Sequence, residues 1–204
     1  MTFSAWLSLF AVCLLGAMSP GPSLAMVTKH SLAGGRRNGI ATAWAHAVGI
    51  GAYAFLTVVG LSIVLQQAQW LFRLISFAGA GYLAYLGWKA IRSQGGVAAN
   101  LETGTNVSVW QSAKEGFLIS MLNPKIALFF IALFSQFITL AHDRWSQTIV
   151  VITPLVVDGL WYTLLALFLS SPVILNRLKR KAVLIDRLSG VVLIALACRV
   201  LTTI

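Results

Sequence analysis

Ser19-Pro20-Gly21-Pro22 sets two prolines and a glycine inside an apolar run that extends from about Phe3 to Met26. Proline supplies no backbone donor and its ring clashes with the preceding turn, so the run cannot be one unbroken helix. Serine is a favoured N-cap and proline a favoured first helical residue, so Ser19-Pro20 reads as the restart of a second half-helix. A restart leaves unpaired N–H groups and the positive end of a helix dipole at the break. Inside a membrane, a break of this kind marks a binding site.

The surroundings of the break are those of a membrane protein. The 204 residues are 58% hydrophobic and 10% charged, with a mean hydropathy of +0.85, whereas soluble domains carry about 25% charged residues. A span takes roughly 20 apolar residues, so the length admits about six spans and no separate soluble domain. The net charge of +10 does not point to nucleic acid. The basic residues lie between apolar runs and lack the interleaved polar and aromatic surface of a nucleic-acid module. Cys13 and Cys198 fall within expected spans and read as small packing residues, with no disulfide or metal-ligand spacing. The N-terminal run has a signal-like Gly16-Ala17-Met18 but no basic leader, so it is expected to remain as the first span.

Span 1 is expected over Phe3 to Ser31, followed by a basic turn with Lys29, Arg36 and Arg37; span 2 covers Gly39 to Leu65 and span 3 Leu71 to Ile91. Gly49, Gly51 and Gly60 in span 2, and Gly79, Gly81 and Gly87 in span 3, offer close helix packing in lipid. Trp70 and Trp88 read as interfacial anchors. The Gly-, Asn- and Ser-containing stretch after Ile91 is the one polar linker. Span 4 runs from Ser112 to Leu140, span 5 from Thr148 to Leu169, and span 6 from Leu188 to Leu201 after a basic loop. Residues 1–92 thus form a first three-helix repeat, 93–111 a cytoplasmic linker, and 112–204 a second repeat within one transmembrane domain. Lys and Arg concentrate after spans 1, 3 and 5, while the opposite loops hold only Arg73 and Arg144. The positive-inside rule therefore places both termini outside the cytoplasm.

Span 4 contains Asn123-Pro124-Lys125, again a cap residue followed by proline at the first helical position. Halves with an odd number of spans run through the bilayer in opposite senses, so the fold class is all-α with a 3+3 inverted repeat and broken helices 1 and 4. The two restarts then converge on one point that favours an anion such as a carboxylate. Ser19, Pro20, Gly21, Pro22, Asn123, Pro124 and Lys125 are the candidate substrate-binding residues, with Lys125 adding a full positive charge. Asp158 sits deep in span 5, where a charge costs on the order of 3 kcal/mol. It is the candidate proton carrier or ammonium ligand; its structural alternative is an ion pair with Lys125. His46 is a further candidate, although a lone span histidine often makes only an interhelical hydrogen bond. For Gln136 and Tyr162 a packing or interfacial role is the simpler reading, and Tyr53, Tyr82 and Tyr85 read as core or lipid-facing.

Several of these segments together resemble a known family. They are Ser19 to Pro22, Gly35-Arg36-Arg37-Asn38-Gly39, Gly81-Tyr82-Leu83-Ala84-Tyr85-Leu86-Gly87, Gly116-Phe117 and Leu122-Asn123-Pro124-Lys125. The chain resembles the LysE/RhtB family of bacterial amino-acid exporters over nearly its whole length. That resemblance implies efflux of amino acids such as threonine, homoserine or lysine across the bacterial inner membrane, driven by the proton gradient, by a homodimer. The residues themselves point to a zwitterion, with helix ends and Lys125 for the carboxylate and Asp158 for the ammonium or the exchanged proton. A channel, or an exporter of another small metabolite or of a cation, is the alternative. An intramembrane enzyme would need a nucleophile and base or a metal cluster, which the pattern lacks, so neither an enzyme nor a cofactor is expected.

Overall fold

The computed structural model describes residues 1–19, 21–92, 107–138, 141, 143–169 and 172–203, all of the regular structure among them helical. The helices are α1 (Phe3–Met18), α2 (Pro22–Ala33), α3 (Gly35–Gln67), α4 (Gln69–Ile91), α5 (Val109–Leu122), α6 (Pro124–Ile138), α7 (Arg144–Leu169) and α8 (Pro172–Thr203). Gly35–Leu61 and Arg144–Phe168 are each long and apolar enough to cross a membrane, and α1 with α2 passes the same test as a pair bent by 63°.

The first break differs in register from the expected one. Ser19 is the C-cap of α1, its N–H bonded to the carbonyls of Leu15 and Gly16. Gly21 is the N-cap of α2 and Pro22 its first residue. Pro20 lies outside the described residues. Two prolines at alternate positions both satisfy the proline-at-N1 rule, and the chain uses the second. The other break matches its reading: the Asn123 side chain accepts from the Lys125 N–H at 3.1 Å, its carbonyl accepts from Ile126 and Ala127, and Pro124 opens α6.

Helix boundaries move in three further places. The basic turn after span 1 is largely helical: α2 runs to Ala33 and α3 begins at Gly35, which takes φ +73°, a conformation suited to glycine. α5 starts at Val109, within the stretch assigned to the linker, capped by Ser108, whose hydroxyl accepts from the Gln111 N–H at 3.1 Å; residues 93–106 lie outside the described residues. α8 begins at Pro172, so the basic loop expected before span 6 is helix. Long Lys and Arg side chains can carry their charges away from a helix that continues into apolar surroundings.

α3 packs along α7 and α5, and α4 along α8. At the α4–α8 crossing the backbones touch: a Cβ on Gly87 would lie 2.7 Å from the Gly190 carbonyl oxygen, and one on Gly190 2.5 Å from that of Gly87. Gly49 and Gly51 also meet neighbours, whereas Gly60 and Gly81 face open space and do not serve packing. The core joins Leu9 and Val12 of α1 to Phe72 and Leu83 of α4, Phe130 and Phe134 of α6, Val150 and Val157 of α7 and Leu193 of α8. Outward lie Phe55, Leu56, Ile63, Leu74, Phe77, Leu160 and Phe168, an apolar exterior suited to lipid, with Trp70 and Trp88 exposed near the ends of α4. Before α7, the Ser146 hydroxyl and then its N–H bond Asp143 and hold its carboxyl below the usual carboxylate range. The Met1 ammonium donates to the same Ser146 hydroxyl at 2.7 Å, tying the N-terminus to the start of α7.

Candidate functional site

The two breaks meet. Lys125, one residue into α6 from Pro124, sends its Nζ to the Ser19 hydroxyl at 2.6 Å and to the Ser19 carbonyl at 3.3 Å. The ammonium lies against Gly21, where a Cβ would sit 3.5 Å from Nζ. Asn123 Nδ2 donates to the Ser23 hydroxyl at 3.4 Å, a second link between the α5–α6 break and the first turn of α2.

The two helix starts are not equivalent. Asn123 caps α6 with its own side chain. Gly21 provides no side-chain cap to α2, so the N–H groups of its first turn have no capping side chain. Those N–H groups, the Ser23 hydroxyl and the Lys125 ammonium are donors suited to a carboxylate.

Asp158 pairs with His46, at 2.7 Å from Oδ2 to Nδ1, and both side chains are buried. The expected alternative partner, Lys125, is engaged with Ser19. The other ring nitrogen of His46, Nε2, lies 2.8 Å from the Ser23 hydroxyl. With a neutral ring, Nδ1–H donates to Asp158 and Nε2 accepts from Ser23; with a charged ring both nitrogens donate and Ser23 accepts. A chain of hydrogen bonds therefore runs from Asp158 through His46 and Ser23 to Asn123, and either charge state of the imidazole is accommodated. Pro154, one turn before Asp158 in α7, lacks the N–H that would bond the Val150 carbonyl, a local weakness in the helix beside the pair.

Tyr162 packs in a core cluster with Leu24, Val27 and Ala166, as the packing reading has it, and also lines the cavity. Its ring stands edge-on to His46 with centroids 5.2 Å apart, and its hydroxyl donates to the Ala17 carbonyl at 3.2 Å. Tyr53, part-buried, donates to the Met121 carbonyl at 2.7 Å, and the Gln136 side chain lies outside the described residues. Ser19, Ser23, His46, Asn123, Lys125, Asp158 and Tyr162 line a cavity of about 50 Å3, together with the apolar Ile50, Ile126, Phe129 and Phe130 and with Cys13. An ordered water needs roughly 10–15 Å3 by that measure, so the cavity has room for several waters or for a small organic solute.

Ser23 escaped notice in the sequence and Tyr162 was read for packing alone, because each is an ordinary residue on an apolar helix and only the tertiary fold brings them to His46. Asp186 is a second buried acidic residue. It lies in α8 and acts electrostatically on Lys125. Away from the cavity, a second polar cluster joins α2, α3 and α5. His30 Nε2 is 3.0 Å and Lys29 Nζ 3.3 Å from Glu115 Oε2, and the Ser112 hydroxyl lies 3.0 Å from His30 Nδ1 and accepts from Asn38 at 2.9 Å. Among the described residues, no group of His, Cys, Asp and Glu is arranged to hold a metal ion.

The model of the LysE type translocator family matches residues 14–203, nearly the whole chain. The chain belongs to the LysE type translocator family. This LysE type translocator is 29% identical over 159 residues to the homoserine/homoserine lactone efflux protein of Salmonella typhimurium, covering 78% of this chain and 77% of the relative. It is 24% identical over 192 residues to the threonine efflux protein of Escherichia coli K12, covering 91% of each. It is 30% identical over 150 residues to the leucine efflux protein of Salmonella choleraesuis, covering 72% of this chain and 71% of the relative. No solved structure gives a significant match to the translocator. It is thus a membrane protein of a family whose named relatives export amino acids.

Proposed function

We propose that this translocator is a secondary transporter that exports small amino acids across the bacterial inner membrane in exchange for protons. The observation that carries the reading is the meeting of two proline-marked helix breaks at Lys125 and Ser19, beside a buried carboxylate–imidazole pair. Cationic and N–H donors and an anionic group line the same cavity, the combination of charges that a zwitterion requires. The substrate carboxylate binds at the start of α2 and Lys125, and its ammonium turns toward Asp158. A proton taken by Asp158 from the outer side weakens its hold on the ammonium and on His46, so that proton entry and substrate release are coupled.

Six spans account for the helices if α1 with α2 and α5 with α6 are each one broken span. The two halves form an inverted repeat, residues 1–92 and 112–204, joined by a cytoplasmic linker at 93–111. Asn123 and Pro124 follow Ser19 and Pro20 at one common spacing, and Gly87 and Gly190, the mutually touching glycines, stand at nearly the same spacing. The distribution of Lys and Arg supports both termini on the periplasmic side. The working unit is a homodimer, and rocking of one half against the other exposes the site to each side in turn.

Overexpression in a bacterium tests this directly. Cells should gain resistance to one or more amino acids or their analogues and release that compound into the medium. A chain present in the membrane that alters neither resistance nor release, across a broad amino-acid set, would overturn the reading.

A further inference from the structure

The apolar part of the cavity lining has its own chemistry. Ile50 of α3, Ile126, Phe129 and Phe130 of α6 and Cys13 of α1 form it, and all five are buried. The two phenylalanines pack edge to face with centroids 6.0 Å apart. Phe130 is fixed from behind by Phe134 at 4.5 Å and by the stacked ring of Tyr53 at 6.2 Å. Phe129 is held against α1, where a Cβ on Gly16 would lie 2.5 Å from its Cζ. These contacts make the wall stiff as well as apolar. Among the side chains that line the cavity, His46 and Asp158 are paired with each other, Lys125 bonds Ser19 and Tyr162 bonds the Ala17 carbonyl.

We infer that this wall is the side-chain subsite of the transporter and that it selects neutral amino acids with aliphatic or thioether side chains. The inference rests on the exporter reading, since it places the α-carboxylate and ammonium at Lys125 and Asp158. A leucine or methionine side chain then lies on Ile50, Ile126 and the phenylalanine rings, and the thioether gains sulfur–aromatic contact. A lysine or glutamate side chain would carry its charge onto the same wall without a partner there, and burying an unpaired charge is strongly unfavourable. Serine and alanine fit but leave the wall uncovered. Each methylene lost from an apolar pocket weakens selection by about 10-fold or more.

Competition in proteoliposomes holding the purified protein tests this, with labelled leucine exchanging against unlabelled amino acids. Leucine and methionine should compete at least about 10-fold better than alanine or serine, and lysine and glutamate should not compete. Equal competition by serine, or competition by lysine, overturns the subsite while leaving the exporter reading intact. Failure of every amino acid to exchange overturns the exporter reading, and the subsite with it. Ile50→Thr should narrow the leucine-to-serine ratio by roughly 10-fold, and an unchanged ratio in a variant that still exchanges also counts against the subsite.

Discussion

Lys125 Nζ and Ser19 Oγ stand 2.6 Å apart across 106 residues of sequence, so the cation from one helix break is seated on the end of the helix before the other. A hydrogen bond to a charged group contributes about 1.5–3 kcal/mol, and its loss also frees the ammonium to leave the place where a carboxylate would meet it. Ser19→Ala should therefore raise the half-saturating substrate concentration by roughly 10- to 100-fold while changing maximal transport less. Lys125→Met should abolish measurable saturation. Unaltered saturation in both variants, checked by initial rates of uptake into vesicles, would make the contact between breaks architectural.

His46 and Asp158 form a pair whose members depend on one another. Removal of one partner of a buried pair costs about 3–5 kcal/mol, because the other charge is left without compensation. His46→Ala should lower thermal stability in detergent more than the His46→Ala, Asp158→Asn double variant does, since the second change removes the stranded carboxylate. Additive losses in this double-mutant cycle would show that the two side chains are not coupled.

The Glu115 cluster ties α2 to α5, and the proposed rocking of the two halves would break it. Ser31 is buried on α2 near this contact. In a chain with Cys13 and Cys198 replaced by alanine, Ser31→Cys should react with a maleimide about 10-fold faster when Glu115→Ala is added, the scale of one lost charge-assisted hydrogen bond. Equal labelling rates would mean that Glu115 does not hold this region closed.

The breaks were legible in the sequence because proline and cap residues carry a local signal that needs no tertiary knowledge. Their register was less so. The pattern Ser-Pro-Gly-Pro offers two starts, and the extended Gly21, at φ −179°, rather than Ser19 precedes the helix. Lys125 and Asp158 stood out because charge is costly in an apolar run. Their pairings did not: His46 could be named as a candidate, but one histidine on an apolar helix carries no signature of its partner, and neither Ser23 nor Tyr162 carries one. Asp186 was hidden for another reason. Its neighbours Lys181 and Arg187 lower the local hydropathy, so a continuous helix read as a basic loop.

Gradient-driven efflux reads proton coupling at Asp158. Proteoliposomes are loaded with a labelled amino acid that the cells export, and the outside is made more acidic than the inside. The gradient should accelerate efflux through the wild-type protein, a protonophore should remove the acceleration, and Asp158→Asn should exchange substrate without responding to the gradient. Full gradient-driven efflux by Asp158→Asn would contradict that coupling.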